Sequence, residues 1–138
     1  MSKLLDQLLK PGIPNLQTSR PTGQYKVLRL SKLAKEPVTV TLHALEYGQV
    51  EFIKGLSAEG ESDVQIVLSG FSKEDLETLR DESVKAKFGG PTPADTLKGI
   101  YLPGEIEDMS RTVQSLTGYR RTTIEEIKNP SPTEQTKT

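Results

Sequence analysis

The chain has 138 residues, of which 33% are hydrophobic, 27% charged and 5% aromatic, and this length suits one domain better than two. The formal net charge of −1 is featureless, and the absence of cysteine excludes disulfides, a thiolate nucleophile and cysteine-ligated zinc. Because no run of about 20 apolar residues occurs, the composition indicates a soluble cytoplasmic protein rather than a membrane protein.

An amphipathic arm is predicted near the N-terminus. Four leucines fall on one face of a two-turn helix: Leu4, Leu5, Leu8 and Leu9. Ser2 can cap this helix, and Pro11 with Gly12 must end it. Residues 10–24 then hold three prolines and two glycines, a composition that suits neither helix nor strand. The pattern predicts that residues 1–24 are an arm and linker tethered to the domain.

A β-hairpin is predicted over residues 25–43. Side chains alternate in polarity from Tyr25, and they alternate more clearly over residues 38–43. Between these stretches, Lys32, Lys35 and Pro37 indicate a basic turn of several residues. Because two strands alone are marginally stable, the hairpin needs helices to pack on.

Helices are predicted to follow the hairpin. One spans about 44–56, weakened by Gly48 in its interior. Residues 63–70 fit both a helix and a strand, and we favour the helix. A third helix begins after Ser72, whose side chain can cap it with Asp75 three residues on, and ends near residue 88.

The C-terminal part contains the clearest helix signals. Thr92 followed by proline begins a short helix, and Pro103 begins a longer one that ends at Gly118. Thr123 and Glu126 form a capping-box pattern for a last short helix, and residues 130–138 are a polar, proline-broken tail expected to be disordered. The predicted fold is α+β and predominantly helical, with the hairpin packed on four to six short helices in one domain, 25–129.

The side chains offer little for catalysis. His43 is the only histidine, which excludes any site needing two imidazoles, and we interpret it as a strand residue. Glycine pairs with the outer spacing of a phosphate loop occur twice, but glutamate follows each pair and would repel phosphate. The acidic runs are best explained as solvated helix faces. We therefore predict no catalytic residue, metal or cofactor.

Charge is distributed unevenly along the chain. Residues 1–43 carry seven Lys or Arg and two acids, whereas residues 44–138 carry eleven Lys or Arg and seventeen acids. The basic part and Arg120–Arg121 raise the possibility of nucleic-acid binding, but the hairpin has no aromatic platform beyond Tyr25 and the protein has no tryptophan. Nucleic acid is therefore an improbable partner. The alternative is that the two regions meet, within one molecule or between copies.

The order of segments resembles the XkdN-like phage tail assembly chaperones. The segments that carry the resemblance are YKVLRLSKL (25–33), PVTVTLHAL (37–45), DVQIVLSG (63–70), GPTPADTL (90–97), LPGEI (102–106), LTGY (116–119) and IEEIKN (124–129). The resemblance covers about 25–129 and leaves the arm and the last nine residues unmatched. The combination in this order is fairly specific, whereas each segment alone is weak.

The resemblance implies a non-enzymatic chaperone that binds the tape-measure protein and keeps it soluble in the host bacterial cytoplasm while the tail tube polymerises. Such a protein leaves before the virion matures, associates with itself, and can have a frameshift-extended form. The alternatives are a structural tail component, such as a connector or terminator retained in the virion, and a small nucleic-acid-binding regulator.

Two sets of residues are candidates for partner binding. The arm, Leu4, Leu5, Leu8 and Leu9, would dock on an adjacent copy or on the client, and Ile100, Tyr101 and Leu102 would form the wall of an exposed groove. The competing interpretation is that all seven side chains pack inside their own molecule.

Overall fold

A two-stranded antiparallel hairpin and a set of short helices make up the fold in the computed structural model, which describes residues 3–56 and 61–127. The strands are β1 Thr22–Lys26 and β2 Thr39–His43. The described residues form eight helices: α1 Lys3–Leu8, α2 Leu28–Ala34, α3 Tyr47–Lys54, α4 Glu61–Gly70, α5 Lys73–Arg80, α6 Glu82–Phe88, α7 Pro93–Ile100 and α8 Pro103–Leu116. The predicted α+β, mainly helical class is confirmed. Ser2 and the tail 130–138 lie outside the described residues.

The hairpin is confirmed, but its first strand lies earlier than predicted. Thr22 pairs with His43 and Lys26 pairs with Thr39, so β1 includes residues expected to belong to the linker. The predicted continuation of this strand and the basic turn are instead α2, which ends at Lys35 in the left-handed conformation. Segment 28–34 is rich in Leu, Lys, Arg and Ala, and this helix preference outweighs a short alternating pattern.

The core forms where β2 lies against α4 and α8. Val40 and Leu42 point inward from β2 and are 3% and 0% exposed, while Thr41 is half-buried. Phe71 forms a bridge to Leu42 just after α4. The buried core comprises Val27, Val40, Leu42, Val64, Val67, Phe71, Leu79, Leu97, Tyr101, Ile106, Met109 and Val113.

Local capping explains where the middle helices begin. The helix predicted over about 44–56 is α3, and it starts at Tyr47 because Glu46 and Gln49 form a capping box there. Residues 63–70 are helical, as favoured. The single helix predicted from Ser72 to residue 88 is instead two, because Asp81 ends α5 and its carboxylate accepts hydrogen bonds from the first turn of α6.

The two helices predicted after residue 90 are confirmed as α7 and α8, and Thr92 caps α7 as expected. The prediction of a last short helix around Thr123 and Glu126 is wrong. Residues 122–127 are irregular, and Ile124 and Ile127 are 86% and 92% exposed. A helix of one turn fixes several residues for few hydrogen bonds, so it does not form without a surface to pack on.

Gly70, the last residue of α4, provides a test of the packing between α4 and α8. A Cβ at Gly70 would lie 2.5 Å from Cγ2 of Val113 and 3.2 Å from the carbonyl oxygen of His43. We expect Gly70→Ala to lower the free energy of unfolding by about 1–3 kcal/mol, because the close contact forces the two helices apart. Urea unfolding measures this change.

Gly48 is the matched control, because nothing lies within 4 Å of the position that its Cβ would take. Gly48→Ala should raise the free energy of unfolding by about 0.5 kcal/mol, through lower entropy of the unfolded chain. Equal effects of both substitutions would contradict the close packing assigned to Gly70.

Candidate interaction surfaces

The arm helix α1 presents its leucines to solvent. Leu4, Leu5, Leu8 and Leu9 are 62%, 39%, 50% and 74% exposed, and α1 has no buried residue. The linker continues this apolar surface with Ile13 and Leu16, which are also exposed. These leucines therefore do not pack in the core of their own molecule, and their role in partner binding stays a prediction.

Arg20 anchors the linker to the domain. Its guanidinium donates a hydrogen bond to the carbonyl oxygen of Ala44 at 2.8 Å and lies 3.7 Å from the carboxylate of Glu46. The next residue, Pro21, accepts a backbone hydrogen bond from Ala44 at 2.9 Å. The chain is thus held from Arg20 onward, so the tethered part is shorter than the predicted 1–24.

A groove of about 450 Å³ runs between β1, the start of α2 and the exposed side of α8. Its lining is mostly apolar, and the residues that contribute to it are Tyr25, Lys26, Val27, Leu28, Arg29, Val40, Leu42, Glu105, Asp108, Met109 and Thr112. A second depression adjoins it along α2; it shares Lys26, Leu28 and Arg29 and is also lined by Ser31, Lys32, Glu36 and Pro37. We call the two together the hairpin groove.

An ion pair between Arg29 and Glu105 crosses the hairpin groove. The guanidinium donates to both carboxylate oxygens at 2.9 Å, and it also donates to the carbonyl oxygen of Ile100 at 2.8 Å. Glu105 accepts a further hydrogen bond from the backbone N–H of Leu102 at 2.8 Å. The hydrogen bond from Arg29 holds the pKa of the Glu105 carboxyl below its ordinary value, although partial burial opposes the shift.

The predicted meeting of the basic and acidic regions occurs within one molecule at two places. Arg20 contacts Glu46, and Arg29 contacts Glu105. Several lysines at the rim of the hairpin groove or at the end of α2 make no ion pair with any described acid: Lys26, Lys32 and Lys35. The groove itself is apolar with charges of both signs, because Glu36, Glu105 and Asp108 line it together with Lys26, Arg29 and Lys32.

The second set of predicted partner-binding residues does not form one exposed wall. Tyr101 is 9% exposed and packs edge-on against Phe71, with ring centroids 6.5 Å apart. Ile100 is half-buried against the core, and Leu102 is 51% exposed. Tyr101 therefore agrees with the competing interpretation, that it packs inside its own molecule, because the α7–α8 junction turns its ring inward. Leu102 is the member of the set that faces solvent.

Among the titratable groups, Tyr101 is buried in the core. Burial raises the pKa of Tyr101 to about 12, and the charges of Asp75 and Glu105 add to this effect. His43 ends β2 and is half-buried. In the parts of the chain that the structure describes, no three His, Cys, Asp or Glu residues lie close enough to hold a metal ion. No described helix is long and apolar enough to cross a membrane.

The hairpin groove was missed by the sequence interpretation. Its signal was Leu28, which lines it and is 72% exposed on α2. A helix assignment for 28–34 would have placed Leu28 beside Arg29 and Lys32 at the surface.

Comparison with known proteins gives one match. A family model described as phage XkdN-like tail assembly chaperone protein matches residues 5–129. The match therefore includes most of the arm, which the sequence resemblance had left uncovered. No curated protein and no solved structure matches the chain significantly.

The ion pair across the hairpin groove predicts a defined pH dependence of stability. Because the folded-state pKa of Glu105 lies below its ordinary value of 4.5, the pair contributes fully above that value and is lost as the pH falls through the folded-state pKa. We expect the difference in unfolding free energy between the wild type and Glu105→Gln to be constant from pH 6 to about pH 5. Below about pH 4.5 the difference should narrow, as measured by urea unfolding at each pH.

Glu107→Gln is the control on the same helix, since Glu107 pairs locally with Arg111 and both side chains are more than half exposed. It should change the unfolding free energy at neutral pH by less than about 0.5 kcal/mol. A difference for Glu105→Gln that stays the same down to pH 3 argues against the role assigned to the ion pair.

Proposed function

Because the chain belongs to the XkdN-like phage tail assembly chaperone family, we propose that it binds the tape-measure protein and keeps it soluble while the tail tube assembles around it. The proposed role is non-enzymatic, as the family assignment suggests. The observation that supports it best is the apolar arm, whose leucines are exposed and held on a linker of about a dozen residues.

The arm has the properties needed for transient binding to an extended client. Leu4 and Leu8 lie one helical turn apart, so they form an apolar stripe that can lie along a helix or groove of the client. The chain between α1 and Arg20 contains two prolines and one glycine, Pro11, Pro14 and Gly12, which interrupt regular structure and hold the arm away from the domain. Many weak contacts of this kind along one client add up through avidity and can still be released.

The proposed role places the protein in the host bacterial cytoplasm and outside the finished particle. A frameshift-extended form of the same chain would carry the folded domain described here. Association between copies would line several arms along one client.

Substitution of the arm tests client binding. We expect the double variant Leu4→Glu and Leu8→Glu to lower the soluble fraction of a co-expressed tape-measure protein several-fold, because the charges remove the apolar stripe. The domain should keep its thermal midpoint, since α1 has no buried residue. The measurement is the soluble-to-total ratio of the client, with thermal unfolding of the chaperone in parallel.

Leu33→Glu is the matched control for the arm variant. Leu33 is 71% exposed on α2 and lies outside the arm and its linker, so the same chemical change there should leave client solubility unaltered. Wild-type client solubility with the arm variant would overturn the assignment of the arm as the binding element.

The protein composition of purified virions tests whether this chain leaves the particle before the virion matures. We expect purified virions to lack this chain, while lysates taken during assembly contain it together with the tape-measure protein. Quantitative mass spectrometry of both samples makes the comparison. Detection at a fixed number of copies per virion would favour the structural tail component instead.

A further inference from the structure

A line of hydrogen-bonded side chains crosses the interface between α4 and α8 and continues to the chain that follows α8. The hydroxyl of Ser110 donates to the carboxylate of Asp63 at 2.7 Å, and the side-chain amide of Gln114 donates to that hydroxyl at 3.0 Å. Nε of Arg120 then donates to the side-chain oxygen of Gln114 at 2.9 Å. Because Ser110 is 0% exposed, the line passes through the packed interface, and we call its four members the α8 network.

The two ends of the α8 network fix the direction of every hydrogen bond in it. An arginine side chain only donates, so Gln114 turns its oxygen toward Arg120 and its NH2 group toward Ser110. The Ser110 hydroxyl therefore accepts from Gln114 and donates to Asp63, whose ionised carboxylate only accepts. Each member thus depends on the next, and loss of the acceptor at Asp63 would leave a buried hydroxyl without its partner.

The backbone that the α8 network supports turns sharply. The end of α8 is closed by two hydrogen bonds, from the N–H of Gly118 to the carbonyl oxygen of Ser115 at 3.0 Å and from the N–H of Tyr119 to that of Gln114 at 2.9 Å. Gly118 has a φ of 105°, and Arg120 has a φ of 61°, although this left-handed conformation is unfavourable for a residue with a Cβ atom. The hydrogen bond from the Arg120 side chain to Gln114 stabilises the conformation.

The α8 network connects two depressions of the surface that lie toward opposite ends of α8. Asp63 and Ile106 line a depression of about 420 Å³, and Gln114 and Tyr119 line a cleft of about 180 Å³. Ile106 and Gln114 are eight residues apart, which corresponds to about 12 Å along the helix axis. The network gives a change at Asp63 a direct route to the wall of the distant cleft.

We propose that Asp63 is a positioning residue that acts through Ser110 and Gln114 to hold Arg120 in its left-handed conformation and Tyr119 in the wall of the cleft. When the acceptor at Asp63 is lost, the Ser110 hydroxyl turns to a carbonyl oxygen of its own helix, and Gln114 loses its fixed orientation. Arg120 then relaxes to an ordinary backbone conformation, and the chain leaves α8 in a range of directions instead of one. This conformational device goes beyond client binding and does not depend on it.

The direction in which the chain leaves α8 determines where two exposed apolar side chains are presented. Ile124 and Ile127 follow Arg120 within seven residues and are 86% and 92% exposed. With the network intact, they extend from a fixed point beside the cleft. Without it, they are spread over a larger volume, and any contact that they make costs more conformational entropy.

Amide hydrogen exchange of the full chain, measured residue by residue by NMR, tests the positioning role. Asp63→Ala removes the acceptor, whereas Asp63→Asn keeps an oxygen that can accept from Ser110, and both substitutions remove the charge. We expect Asp63→Ala to raise the exchange rate of the Tyr119 N–H about five- to tenfold and to speed exchange of the Arg120 Nε–H in parallel. Asp63→Asn should stay within about twofold of the wild type.

The N–H of Phe71 is the internal reference for overall stability. It donates to the carbonyl oxygen of Val67 at 2.9 Å, and Phe71 is 6% exposed in the core. In Asp63→Ala its exchange rate should change much less than that of Tyr119, because the network acts on the end of α8 and not on the packing of the core. Equal acceleration at both amides would mean that the substitution only weakens the fold, and would overturn the proposal.

Ser110→Ala tests the same link from α8 with a smaller change of volume, and Thr112→Ala is its matched control. The Thr112 hydroxyl donates to the carbonyl oxygen of Asp108 within α8 at 3.0 Å, so its loss should leave Tyr119 exchange as in the wild type. Ser110→Ala should accelerate Tyr119 exchange as Asp63→Ala does. The double variant should add nothing further, because both substitutions break one network.

Three further results would contradict the positioning role. Unchanged Tyr119 exchange in Asp63→Ala and Ser110→Ala means that Gln114 keeps its orientation without them. Equal acceleration by Asp63→Ala and Asp63→Asn means that the charge matters and the acceptor does not. Effects that add in the double variant mean that the two side chains act separately. Because no client is present, each result leaves the tape-measure hypothesis to its own test.

Discussion

The burial of one face of β2 between α4 and α8 is the constraint on which the rest of the structure depends. A two-stranded hairpin has too little apolar area to be stable alone, so Val40 and Leu42 must be covered by helices. Because Gly70 has no side chain, the end of α4 can lie close to Val113 of α8 and to the backbone of His43. The positions of the other helices and of β1 around this contact determine which surfaces of the domain stay exposed to solvent.

The hairpin groove is a consequence of the same arrangement. The helices cover β2 while β1 stays mostly exposed, and α2 lies in the hairpin connection without a buried residue of its own. The ion pair between Arg29 and Glu105 ties α2 to α8 across the opening. The protein thus has a tightly packed side that provides stability and a loosely covered side with exposed apolar groups and charges of both signs.

Most of the helical architecture could be predicted from the sequence because its signals are local. Ser72 and Thr92 cap their helices as expected, and α8 has both a starting proline and a regular apolar face. These features depend on hydrogen bonds and spacing within a few residues, so no knowledge of the tertiary fold was needed.

The predictions that were wrong depend on what lies opposite a segment in space. Segment 28–34 carries a pattern compatible with a strand, and the observed ladder ends at Val27 because the next residues turn into α2. For Tyr101 the sequence left an exposed and a buried position open, and the turn between α7 and α8 directs it against Phe71. For the candidate site, the exposure of the arm leucines followed from the prolines and glycines after them, whereas the groove required knowledge of which strand faces α8.

The outer edge of β2 is closed to further strand pairing. The backbone N–H of Thr41 donates to the carboxylate of Asp75 at 2.7 Å, and its carbonyl oxygen accepts from Ser72 at 3.0 Å. An unpaired edge would offer a template for strand-by-strand aggregation whenever many copies are concentrated on one long client. By using the start of α5 to occupy this edge, the fold removes β2 as such a template.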